Sequence, residues 1–497
     1  MTGDDGTDGD SQGEGLGRDG RGPSRQLNFA RAGGLLVGAE VLNLFIGLGS
    51  TVYFAQTLGA TLLGVFFLFE ASLDTMTVVA DFGVRGAVEK RISEGTDPRQ
   101  VFAASVVLKV LLLAAVGAVV WAFRGVVNDY VGAEVAGLLV VTAVTFEFAT
   151  LVVHVLRGEL RADETAALQL LRLVTYVGVA VVLLQFGYGV RALIFGLIAG
   201  YVVMGAAGLL RISLTPARPQ LRHFTTLTSY AKFNGVWALG GYVYNTMDIL
   251  VIGLFLTQAD VGAYALAWRV TTMTTLVGSV VSNTIFAQLS AWSSAGAHDR
   301  IRETLREATT SSLFLVVPAL FGVAVLGREI LGVAFGPEYV VAAGAFVVLM
   351  GEKVVSGVNL VFDAAVRAYD RPDVGAIATA ASLTLNVVLN VAFVPTFGLV
   401  GAAVATTTAV VVHTVVLGGY LRHLVTIEFA VRDLAWCTVA SVAMAAAILA
   451  VRQVVAVDDV VSLVGVVGFG GVVYLGLVLA SGSLRGKVLA NAREFLA

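Results

Sequence analysis

The residues of this chain that could do chemistry are few, and most sit in apolar surroundings. Glu70 and Asp74 are four apart and Asp81 follows seven later, a spacing that puts all three carboxylates on one helical face. Such a face turns from lipid toward a cavity or a partner. With Glu40 further upstream, Glu70 and Asp74 are candidates for passing a coupling ion, Na+ or H+. Their structural alternative is to bond neighbouring helices or to pair with Lys109. Asp248 and Arg269 flank the 257–261 turn at similar distances, so adjacent antiparallel helices would bring them to one depth as a salt bridge, either a structural pair or a substrate-responsive gate. Asn245, three residues before Asp248, shares its face. Arg172, Arg269 and Lys353 are the cations available to an anionic ligand, and the planar fork of arginine suits a phosphate. Lys353 could instead neutralise its neighbour Glu352. Asn386 and Asn390, four apart, read as polar glue between helices, and His154 and His413 as packed or backbone-bonded, with proton relay as their alternative. No HExxH, GxSxG or phosphate-binding loop occurs, and one cysteine with five scattered histidines excludes a disulfide framework and a Cys- or His-rich metal site. No catalytic residue, metal site or organic cofactor is therefore expected.

The elements that must position these groups follow from composition. Of 497 residues, 57% are apolar and only 13% charged, against about 25% charged in soluble domains. Mean hydropathy is +0.86. That excludes a water-soluble enzyme, a disordered chain and a nucleic-acid-binding protein; the surplus apolar surface must face lipid. Apolar runs long enough to cross a bilayer fall at 33–56, 60–81, 101–123, 134–156, 165–186, 190–210 and 230–256. The second set is 262–290, 307–327, 339–363, 374–394, 398–421, 431–451 and 459–481. The 262–290 run reads as one long helix extending past the bilayer, while Pro318 and Pro395 kink or end theirs. The fold class is an all-α polytopic membrane protein of about fourteen transmembrane helices.

Orientation follows from arginine and lysine. With the N-terminus inside, inner loops and tails hold 24 of them and outer loops only four, Arg124, Arg191, Arg328 and Arg452. An imbalance of this size places both termini in the cytoplasm. Outer loops are too short to hide a catalytic domain. Residues 1–26 are acidic and glycine-rich and cannot bury enough surface to fold; a chance GxGxxG at Gly15, Gly17 and Gly20 lacks the flanking strand and helix. Gly64-Val-Phe-Phe-Leu-Phe and Gly262-Ala-Tyr-Ala-Leu-Ala, 198 residues apart, echo each other after equivalent outer turns. Two halves of like orientation imply a pseudo-two-fold axis along the membrane normal, with a cleft between lobes.

Four stretches carry a family resemblance: LGATLLGVFFLFEASLDTMTVVADFGVRGAVEKRISEG (58–95), SYAKFNGVWALGGYVYNTMDILVIGLFLTQADVGAYALAWRV (229–270), REILGVAFGPEYVVAAGAFVVLM (328–350) and RPDVGAIATAASLTLNVVLNVAFVPTFGLVGAAVATT (371–407). Together they resemble the polysaccharide transporters, or Wzx-type lipid-linked oligosaccharide flippases, of the multidrug/oligosaccharidyl-lipid/polysaccharide exporter superfamily. The resemblance implies two six-helix lobes and a final pair: an N-lobe at 27–211, a cytoplasmic linker at 212–229, a C-lobe at 230–421, helices 13 and 14 at 422–481 and a cytoplasmic tail at 482–497. It also implies non-enzymatic passage of a polyprenyl-linked glycan across the cytoplasmic membrane by alternating access. The expected partners are that lipid-linked glycan, membrane lipid and a glycosyltransferase, with the chain acting as a monomer. The alternative is a cation-coupled drug or metabolite exporter of the same superfamily. A membrane-embedded polymerase would need a larger outer loop.

Overall fold

A computed structural model describes residues 23–95 and 97–486, with side chains from Leu42 onward except at 44 and 230–245. Glu40 and Asn245, both expected at the site, lie outside the described side chains, and most of the acidic tail lies outside the described residues.

The described chain is helical, as a backbone must be where no water can satisfy its polar groups. The first half comprises α1 (Pro23–Asp81), α2 (Val84–Ser93), α3 (Pro98–Ala122), α4 (Arg124–Val131), α5 (Ala136–Gly158), α6 (Ala162–Gln185) and α7 (Val190–Leu209). The second half begins with α8 (Leu221–Phe255), α9 (Gln258–Met273), α10 (Leu276–Ser294) and α11 (His298–Ala334). It continues through α12 (Ala343–Ala368), α13 (Pro372–Leu421), α14 (Val431–Arg452) and α15 (Val460–Ala480). Ten helices among the described residues are long and apolar enough to cross a bilayer, and the α9–α10 pair makes eleven. Two of the ten are double. Helix α1 breaks at Gly59 (φ 77°) and α13 at Gly398 (φ 60°), backbone that glycine adopts without a Cβ penalty. With these divisions, and α8 added, the spans number fourteen.

The expected single helix over 262–290 is instead two, α9 and α10, meeting at 47°. Neither glycine nor proline stands at the bend; threonines do. The hydroxyls of Thr271 and Thr272 bond the carbonyl of Trp268, and those of Thr274 and Thr275 bond Thr271 and Thr272. Hydroxyls that take carbonyls one turn back bend a helix.

The echoing segments pack against each other. A Cβ on Gly64 would fall 1.7 Å from the Gln258 carbonyl oxygen, and one on Gly262 would fall 2.2 Å from that of Ala60. Each glycine thus meets the residue four before its counterpart, the reciprocity that a two-fold axis demands. In lipid there is little hydrophobic drive between helices, so close backbone approach at small residues supplies the attraction. This seam closes the arginine-poor end of the molecule. It is reinforced there by Glu338, whose carboxylate accepts the Ala60 N–H freed by the Gly59 break (2.6 Å), and by Gln56 donating to the Ala334 carbonyl (2.9 Å). Tyr130 adds a bond to the Leu250 carbonyl at 2.7 Å.

The main core runs through both halves, with Phe66, Leu68, Leu193, Ile252, Tyr264 and Phe346 fully buried. Helices α14 and α15 pack on α11, where the Tyr474 hydroxyl bonds the Phe314 carbonyl at 2.8 Å and Arg452 pairs with Glu329. Asp459 opens α15 by accepting the Ser462 N–H at 2.7 Å, which holds its carboxyl below the usual carboxylate range. Leu111, Trp121, Val391 and Val472 stay exposed, as side chains facing lipid would.

Candidate functional site

Below the seam lie two adjoining chambers, of about 560 and 410 Å³. They share Phe67, Glu70, Arg269 and Met273 as their common wall. The larger chamber adds Asp74, Thr246, Trp268 and the threonine bend of α9–α10; the smaller adds Arg172, Tyr176, Tyr201, Ser50 and Thr51. Glu70 from α1 and Arg269 from α9 meet across the pseudo-axis at 3.4 Å, with Arg269 also over the Phe67 ring. Arg172 stands over the Tyr201 ring, its Nε donating to Gln169 at 3.2 Å. Of the expected site residues, Glu70, Asp74, Arg172 and Arg269 are therefore gathered around one cleft. The pairing of Asp248 with Arg269 is not found: Arg269 binds Glu70 instead. Asp248 turns away from the cleft into the C-terminal half.

There Asp248 is 4% exposed and accepts three hydrogen bonds, from Tyr264 (2.5 Å) on α9 and from Asn390 (2.8 Å) and Thr406 (2.5 Å) on α13. Asn386 donates to Thr406 at 3.0 Å. The side-chain oxygens of Asn386 and Asn390 are buried without a hydrogen-bond partner, and no cationic side chain among the described residues pairs with Asp248. The two asparagines do link helices, but they also bring unsatisfied oxygens beside a buried carboxylate. A bare carboxylate in such a place costs several kcal/mol unless a cation or proton joins it. A donor set of carboxylate, amide and hydroxyl oxygens fits a hard monovalent cation, whose charge would offset that cost. The sequence signal was present as an Asp with Asn-x-x-x-Asn and a later Thr, spread over two helices.

Lys353 is not in the cleft. It is 3% exposed, bound to Glu352 at 2.7 Å, and its ammonium sits 3.7 Å from the centre of the Trp268 ring. Lys109 joins Asp81 and Glu147 in a buried cluster completed by Arg85, which lies 2.9 Å from Asp81 and 3.5 Å from Glu147. It does not pair with Glu70 or Asp74. His154 bonds Glu89 at 2.7 Å, and His413 bonds Asn359 at 2.8 Å.

Pseudo-symmetric halves enclosing a charged cleft define a polytopic membrane transporter. The chain matches a family described as polysaccharide biosynthesis protein over residues 52–343, and it belongs to that family. It is 40% identical over 422 residues to a probable low-salt glycan biosynthesis flippase, Agl15, of Haloferax volcanii, covering 85% of this chain and 89% of that one. Among solved structures it is similar to the lipid II flippase MurJ in an inward closed conformation, with a TM-score of 0.77, 16% identity, and coverage of 90% and 98%. An inward-facing multidrug resistance MATE transporter of the MOP superfamily matches with a TM-score of 0.59, 17% identity, and coverage of 77% and 95%. The fold is thus that of the MOP transporters.

Proposed function

We propose that this protein is a flippase that carries a polyprenyl-phosphate-linked oligosaccharide from the cytoplasmic to the outer leaflet of the cell membrane, for surface glycan or glycoprotein assembly. The observation that carries the reading is the cleft wall where Glu70 holds Arg269 beside Arg172. A lipid phosphate entering there replaces a carboxylate partner with its own charge, and the arginine fork receives it. The polyprenyl tail stays in lipid while the lobes rock about the Gly64–Gly262 seam, and no covalent bond is broken. The excess of arginine and lysine in alternate loops supports both termini in the cytoplasm, so the closed seam faces outward and the cleft awaits substrate from inside.

Coupling to Na+ or H+ fits the Asp248 cluster better than Glu70 or Asp74, because Asp248 is buried without a cationic partner among the described residues. Asp248, Asn386, Asn390 and Thr406 would hold the ion, which supplies the charge that the buried carboxylate lacks. The drug-exporter alternative shares this fold, but two arginines on one cleft favour an anionic substrate. Deleting the gene tests the reading: complete lipid-linked glycan should accumulate while mature surface glycan falls. Both pools unchanged, in a strain also lacking any paralogue, would refute it.

A further inference from the structure

Arg172 does not stand alone in its chamber. Tyr176, one turn along α6, and Tyr201 on α7 line the same space of about 410 Å³. Helices α6 and α7 press together through two glycines. A Cβ on Gly200 would fall 2.8 Å from the Arg172 carbonyl oxygen, and one on Gly196 would fall 2.7 Å from that of Tyr176. This close approach of backbones gathers the three side chains on one wall. The two rings are held by their neighbours. Tyr201 meets Phe146 edge to face at 5.1 Å and carries Arg172 over its own ring at 5.4 Å, while Tyr176 meets Phe54 edge to face at 6.0 Å.

The polar ends of the same residues are not engaged. Among the described residues neither tyrosine hydroxyl has a hydrogen-bond partner, and Arg172 donates only through its Nε, to Gln169. The Tyr176 hydroxyl lies in the field of Glu70, Arg269 and Arg172, and that of Tyr201 in the field of Arg172 and Glu70, so both belong to the charged wall of the cleft. We infer that Tyr176 and Tyr201 bind the lipid phosphate together with Arg172, their hydroxyls donating to its non-bridging oxygens. This rests on the flippase reading and deepens it. A lipid phosphate presents at least two non-bridging oxygens, each able to accept more than one hydrogen bond. The guanidinium fork covers one edge of the group, and the phenols reach lone pairs that the fork leaves. Neutral donors replace the water that the phosphate sheds on entering, and they add no fixed charge to retain it once the lobes rock. Arg269 joins when the phosphate displaces Glu70, whereas the α6–α7 donors are in place beforehand, so less ordering is lost on binding.

The test uses the full-length protein in nanodiscs and three probes: citronellyl phosphate, citronellol and inorganic phosphate. Tyr176→Phe and Tyr201→Phe keep the rings and their packing and remove only the hydroxyls. Each should weaken citronellyl phosphate about tenfold, the low end for a hydrogen bond to a charged group, and leave citronellol unchanged. Tyr201→Leu should lose about threefold more than Tyr201→Phe, because the ring beneath Arg172 goes too. Undiminished affinity for citronellyl phosphate in both phenylalanine variants overturns the inference. So does an equal loss with citronellol, which would tie the hydroxyls to the tail instead of the phosphate. Inorganic phosphate that displaces citronellyl phosphate at equal concentration would make this a free-phosphate site and overturn the lipid assignment. If citronellyl phosphate does not bind the wild type at all, the flippase reading itself has failed and takes this inference with it.

Discussion

Lys109 and Asp248 show how burial decides the role of a charge. Lys109 is wholly enclosed with Asp81, Glu147 and Arg85, two cations against two carboxylates. Removing one member leaves an uncompensated charge in a dry interior, so Lys109→Met should cost about 3–5 kcal/mol of stability, read as a lowered Tm in detergent. Glu70→Gln should behave differently. Its pair with Arg269 is partly exposed, with side chains 28% and 45% accessible, and such pairs contribute at most about 1 kcal/mol. Tm should barely change while transport falls; a Tm drop as large as that of Lys109→Met would make the pair structural. Asp248→Asn keeps the shape of the oxygen cluster and removes its charge, so transport should lose its dependence on Na+ or pH. An unaltered dependence would move coupling elsewhere. Sequence set Asp248 and Arg269 on either side of one turn but could not say which way each points about its helix. Azimuth decided the partners: Arg269 faces α1, and Asp248 faces α13. The same blindness put Lys353 in the cleft rather than behind Trp268.

At the scale of the element, the informative positions are Gly64, Gly262 and the threonines of the α9–α10 bend. The glycines were legible because two short segments echo each other after equivalent turns, and their reciprocal contact gives that echo its physical meaning. A side chain at either would collide with backbone, which has nowhere to go. Gly64→Leu should therefore part the seam. The measurement is maleimide labelling at Ala60→Cys in a Cys437→Ser background: the buried position should be protected in the parent and labelled severalfold faster with Gly64→Leu. Equal protection would show that the seam does not depend on this contact. The bend was not legible. An apolar run with neither glycine nor proline at its middle threonines reads as straight there, and the carbonyls taken by Thr271, Thr272, Thr274 and Thr275 show only once the helix is built.

For the whole molecule, the properties that sum over many residues were the readable ones. The fourteen apolar runs are each the total of many side chains, so an error at any one is diluted. The two breaks inside α1 and α13 fall where the runs were divided, at Gly59 and Gly398. The cleft is the meeting of side chains from helices distant in sequence, as Glu70 and Arg269 show, and no local pattern encodes that meeting. The account makes one claim above the others, that a lipid-linked glycan crosses the bilayer through this cleft. The direct measurement is purified protein in liposomes loaded with a polyprenyl-phosphate-linked oligosaccharide, with the glycan reaching the far leaflet followed by an added glycosidase. The account requires protein-dependent transfer that the Arg172→Gln/Arg269→Gln double variant loses while staying folded. Transfer no faster than in protein-free liposomes, or undiminished in the double variant, would contradict it.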